Sequence, residues 1–223
     1  MTTLKQSLRT AAFTIFSVCA LAAQSTQAQQ STLPPDINFD SLARLPYVKR
    51  ADLDADGQKI FDMLPARRPS GDVAGPLAWP AYNPEVAKAL LDLHNAAVAS
   101  DEFDAYIREL AIMVACRETN YHLEWNGHKR AALQAGISQE LLDIINTNQS
   151  LSGVSDRDAT VIHLGRQLYR DKAVDSVTFA KAVDYFGKKG VMDIVAVMNT
   201  YAVSGFFAAT VDERVPADEI DLK

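Results

Sequence analysis

From residue 54 onward the apolar residues recur at offsets of three, four and seven, and no convincing run alternates as a half-buried strand would. That period predicts an all-α chain of about seven to eight helices. The stretch Leu110-Ala111-Ile112-Met113-Val114-Ala115-Cys116 is apolar on every side, so its helix belongs in the middle of the others. Helices are expected over 54–64, 84–99, 104–118, 120–135, 139–148, 156–171, 176–186 and 191–210. Local punctuation agrees: Asn83-Pro84-Glu85 joins an N-cap to a first-position proline, and Ser155 and Asp175 also read as N-caps. Gly136 and Gly187 read as stops. Between Pro65 and Asn83 lie Pro69, Gly71, Gly75, Pro76 and Pro80, which predicts a loop of nearly twenty residues. Loops of that length in compact domains are usually functional or mobile.

The first residues read as an address. Lys5 and Arg9 precede an apolar stretch from Ala11 to Ala23, and Thr26-Gln27-Ala28 is a small-residue cleavage site. The apolar stretch falls short of the ~20 residues of a permanent span, so export and cleavage near Ala28 are expected, with a periplasmic or secreted product and no stable membrane span. The expected organisation is a signal peptide over 1–28, an irregular leader over 29–53, a helical domain over 54–215 and a tail over 216–223. Cleavage removes Cys19 and leaves Cys116 alone, so no disulfide within the mature chain is expected. The chain has 223 residues and a formal net charge of −6, without basic runs. That balance argues against nucleic acid as a partner.

One helix carries residues its inward face should not tolerate. Over 120–135, Tyr121, Glu124, Trp125, His128 and Ala132 share a side, while Asn126, Gly127, Lys129 and Arg130 form the solvent or rim side. A buried carboxylate without a partner costs several kcal/mol or takes up a proton. Glu109, on the preceding helix, shares a face with Ile112, Met113 and Cys116. Two carboxyls and an imidazole on inward faces suit general acid/base work near neutral pH. The same spacing also suits a buried Glu124–His128 pair that only fixes helix register. Tyr121 and Trp125 by themselves fit core aromatics.

Arg108-Glu109-Leu110-Ala111-Ile112, then Tyr121, then Glu124-Trp125-Asn126-Gly127-His128 and the Ala-rich run to Gly136 resemble the carboxymuconolactone decarboxylase family, which includes the AhpD-type alkylhydroperoxidases. In the peroxidase branch the frame reads Glu-x11-Cys-x2-Cys-x3-His. Here its positions hold Glu109, Tyr121, Glu124 and His128, so neither the attacking nor the resolving thiol is present. The resemblance therefore implies an AhpD-like helical bundle of the decarboxylase-like branch, assembled as trimers or hexamers. It implies cofactor-free loss of CO2 from, or proton transfer on, a small carboxylated lactone or related enolisable compound. On that reading His128 is the acid/base, Glu124 its ionised partner or second proton carrier, Glu109 a relay, Tyr121 an oxyanion donor and Trp125 an apolar wall. A carboxylate substrate asks for a cation, and Arg68 (or Arg67) and Arg108 are the candidates for binding it. The alternative is a helical protein that keeps the pocket, binds a small ligand and catalyses nothing.

Other signals carry less. Asp52-Leu53-Asp54-Ala55-Asp56-Gly57 opens like a calcium loop, but its twelfth position is Met63, which cannot close the coordination. His122 faces away from Glu124 and His128, so no metal site is expected. His94 and His163 read as packing histidines, and Tyr201, Ser204 and Gly205 as core or subunit contact.

Overall fold

The computed structural model describes residues 33–65, 68–216 and 219–223. The expected export segment, Cys19 and Arg67 lie outside the described residues. The described chain is all-α: α1 (Ala55–Met63), α2 (Pro84–Val98), α3 (Ala105–Glu118), α4 (His122–Gln134), α5 (Gln139–Asn146), α6 (Asp156–Arg170) and α7 (Ser176–Thr210). The helix starts follow the caps. Asn83 accepts from the Val86 N–H, Ser155 from Asp158 and Asp175 from Thr178. Asp54 of the calcium-like run caps α1 through the Gly57 N–H, and Asp56 pairs with Lys59, so these carboxylates serve the helix end.

α3 is the axis of the bundle. Ile107 and every residue from Glu109 to Cys116 are buried, and α4, α5, α6 and α7 all pack on this helix. Gly165 of α6 lets α3 approach: a Cβ there would lie 2.4 Å from Val114 Cγ1. α7 breaks at Gly187 (φ 66°) as expected but resumes at once rather than at residue 191, so one long element replaces two.

Two expectations need correction. The 65–83 stretch is not structureless. Pro76 and Pro80 each sit in a 3-10 turn, Gly75–Leu77 and Pro80–Tyr82. Val73, Leu77 and Ala81 build a second core with Val48, Phe61, Leu64 and Ala87, and Ala78 and Trp79 join a third. The rim side of α4 is also not simply solvated. Asp221 takes hydrogen bonds from Trp125 Nε1 (3.3 Å) and Lys129 Nζ (2.6 Å), Asn126 donates to the Glu219 carbonyl, and Leu222 is buried in the main core. The chain's last residues strap α4 to α5.

Candidate functional site

α3 and α4 cross so that three ionisable side chains meet between them. His128 Nδ1 lies 2.8 Å from Glu109 Oε2, and Nε2 lies 3.4 Å from Glu124 Oε2, one turn earlier on α4. The side chains are 24%, 10% and 13% exposed for His128, Glu109 and Glu124. Burial by itself pushes the imidazole toward neutrality and is the largest single influence on it. The two carboxylate hydrogen bonds and charges together outweigh burial and raise its pKa from 6.5 to about 9. His128 is therefore an imidazolium at neutral pH, donating from both nitrogens into a carboxylate on each side. Arg108 Nε stands 3.9 Å from the other oxygen of Glu109.

This raised value has a consequence for stability. The imidazolium's contribution is complete below the unfolded value of about 6.5 and is lost as pH climbs through about 9. The contribution is of order 3 kcal/mol. Urea unfolding at a series of pH values is expected to show stability falling across that window, and most of the fall between pH 7 and 9 should be lost in His128→Asn. A wild-type stability that rises across the window contradicts the charged imidazole.

Glu124 also faces a cavity of about 120 Å3. Its walls are Pro65, Ala74, Pro76 and Leu77 of the loop, Leu90, Leu91 and His94 of α2, and Thr200, Tyr201 and Ser204 of α7. His128 stands behind Glu124, with the Tyr201 ring perpendicular to its own at 5.0 Å and the His94 ring against Tyr201 at 5.7 Å. Burial lowers the His94 pKa despite Glu124, so His94 and His128 are pushed in opposite directions. Burial likewise keeps the Tyr201 phenol protonated, with Glu124 adding to the effect. The cavity thus presents one carboxylate, one neutral imidazole and three hydroxyls on otherwise apolar walls. Such a site can hold a small, mainly apolar molecule and move a proton on it.

The structure brings the three expected ionisable side chains together but not the rest of the expected site. Glu109, Glu124 and His128 meet as the helix faces required. Tyr121 is elsewhere: its ring packs with Ala43, Trp79, Ala208 and Val211, and its hydroxyl has no hydrogen-bond partner. The physical reason is that α4 begins at His122, leaving Tyr121 at the N-cap with non-helical angles (φ −93°, ψ 88°), where a helical wheel does not apply. Trp125 points inward, into the main core and onto Asp221, and is not in the cavity wall. Arg68 lies over the Tyr47 ring and bonds to Asp40. Arg108 stays beside Glu109. Among the described residues, no lysine or arginine lines the cavity. His94, Tyr201 and Ser204 belong to it, although their sequence context suggested packing. The available signal was Leu90 and Leu91, one turn before His94 on the same face of α2.

No family model and no curated protein sequence matches this chain. Solved structures do. The chain is similar to a cysteine-to-alanine variant of the debrominase Bmp8 in complex with 2,3,4-tribromopyrrole, with a TM-score of 0.58 and 13% identity over 78% of this chain and 91% of that one. It is similar too to an alkylhydroperoxidase AhpD core, an uncharacterized peroxidase-related protein from Ralstonia eutropha JMP134 (TM-score 0.58, 17% identity, 80% of this chain and 94% of that one). At these identities the likeness is one of fold, and the fold is AhpD-like.

Proposed function

We propose that the protein is a cofactor-independent enzyme that moves a proton on a small enolisable compound, with Glu124 as the group that meets the substrate. The observation that carries this reading is the buried Glu109–His128–Glu124 chain ending at the apolar cavity. Glu124, paired with the charged His128, takes a proton from a carbon beside a carbonyl. The electron pair moves onto the carbonyl oxygen, where the Tyr201 hydroxyl stabilises the enolate; the Thr200 and Ser204 hydroxyls already donate to the Val197 and Thr200 carbonyls. Glu124 then returns the proton to carbon. Glu109 balances the imidazolium from the opposite side and fixes the ring.

Loss of CO2 from a carboxylated lactone, the reaction of the decarboxylase-like branch, fits the same machinery. There the carbon–carbon bond breaks, its electron pair enters the carbonyl as CO2 leaves, and the proton for carbon comes from the His128 imidazolium by way of Glu124. Among the described residues, the cavity wall holds no lysine or arginine to pair with a substrate carboxylate. The test is incubation of the protein in D2O with a panel of small cyclic ketones, butenolides and their carboxylated forms, followed by NMR. Deuterium uptake at the carbon beside the carbonyl is expected. A molecule that binds yet exchanges nothing would make the protein a binder instead.

Export and assembly belong to the same proposal. Phe179, Met192 and Phe206 of α7 are about half exposed, which supports a covered face in an oligomer. Sedimentation of the mature chain, starting at Gln29, should give trimers or hexamers. A monomer at micromolar concentration would overturn this part.

A further inference from the structure

A second, larger cavity of about 650 Å3 lies at the N-terminal end of α4, beyond Tyr121. Its volume falls within the range of small-molecule sites. Leu42, Leu123 and Ala208 supply apolar wall, and the site described above uses none of its lining residues. Six buried side-chain polar atoms among the described residues have no hydrogen-bond partner, and three of them, Tyr121 Oη, His122 Nδ1 and Glu213 Oε2, belong to residues of this one cavity. Tyr121 is 3% exposed. Leaving such atoms unpaired is costly, and a bound group can remove that cost.

The chemistry of these atoms selects the ligand. An ionised carboxylate oxygen only accepts hydrogen bonds, the Tyr121 phenol oxygen can accept as well as donate, and His122 Nδ1 accepts in one of its two tautomers. Burial and Arg117 both lower the His122 pKa, which favours its neutral form. Arg214, the next residue along the chain, is engaged with Asp212 at 2.7 Å. Among the described residues, no cation pairs with the Glu213 carboxyl. Burial raises its pKa to about 7, and the Trp79 indole N–H beside it, just outside hydrogen-bond geometry, favours the ionised form. Tyr121 and, further off, Glu124 are the other ionisable groups facing it.

We propose that this cavity is a second ligand site, for a small organic ammonium ion whose N–H groups donate to Glu213 and Tyr121 while its apolar body lies on Leu42, Leu123 and Ala208. An ammonium offers three donors and the positive charge that the Glu213 carboxyl lacks. A carboxylate ligand would meet Glu213 with like charge, and a neutral alcohol would leave that carboxyl without a counterion.

Calorimetric titration of the full-length protein with benzylammonium, benzyl alcohol and benzoate tests the assignment. Benzylammonium is expected to bind about tenfold or more tightly than benzyl alcohol, with benzoate weakest, as a charge-assisted hydrogen bond in a buried site requires. Glu213→Gln should reduce the affinity for benzylammonium to that for the alcohol, and Tyr121→Phe should weaken it severalfold. The wild-type ranking of the three probes stands as a test even where a variant folds poorly. Equal affinities, preference for benzoate, no saturable binding of benzylammonium at millimolar concentration, or unchanged ammonium binding by folded Glu213→Gln would each overturn the proposal.

Discussion

Glu124→Gln is expected to lower the rate of carbon–hydrogen exchange by about 10²- to 10⁴-fold, the range over which a positioned acid/base contributes. Glutamine keeps the shape of the side chain and a hydrogen bond to His128 but cannot accept the substrate's proton. The cavity wall stays intact, so ligand affinity should change far less than turnover. The comparison with His128→Asn is informative. Removing the imidazolium leaves Glu124 in place without its charged neighbour, so exchange should slow while ligand affinity changes far less. A Glu124→Gln enzyme with wild-type exchange would pass the acid/base role to another group, and His94 is the one that also faces the cavity.

Glu109→Ala is the second large effect, and it falls on stability. Removing one member of a buried ion pair leaves the remaining charge uncompensated and costs about 3–5 kcal/mol. Here the imidazolium would keep only the longer contact to Glu124, and Arg108 would lose its neighbouring carboxylate. Glu109→Gln separates charge from shape, since it fills the same space without the charge. Chemical unfolding at neutral pH should place Glu109→Ala several kcal/mol below wild type, with Glu109→Gln also destabilised. A Glu109→Gln protein as stable as wild type would mean that packing, not charge, holds the junction of α3 and α4.

Much of this molecule was legible in its sequence because the signals are local. The helix period, the Asn83, Ser155 and Asp175 caps and the apolar stretch around Met113 each act within a few residues, and the helices appear where those signals put them. The meeting of Glu124 with His128 is also local, one turn on one helix. Glu109 joins them because α3, buried on all sides, must press its carboxyl against a neighbour. What was not legible depends on contacts between distant segments. His94 and Tyr201 are 107 positions apart, and their ring contact exists only because α2 packs on α7. The proline-rich stretch after α1 showed where helices stop but not that Leu77 and Trp79 would be buried. Tyr121 was misplaced for a local reason, the start of α4 two residues later than expected, which leaves it at the N-cap with its ring among Ala43, Trp79, Ala208 and Val211.

The reading of the site depends on a charged imidazole buried between two carboxylates. NMR titration of the folded protein, following the ring resonances of His128 with His128→Asn for assignment, measures that charge directly. The account predicts an imidazolium across the neutral range, releasing its proton only near pH 9. Titration at or below the ordinary histidine value of about 6.5 would contradict it.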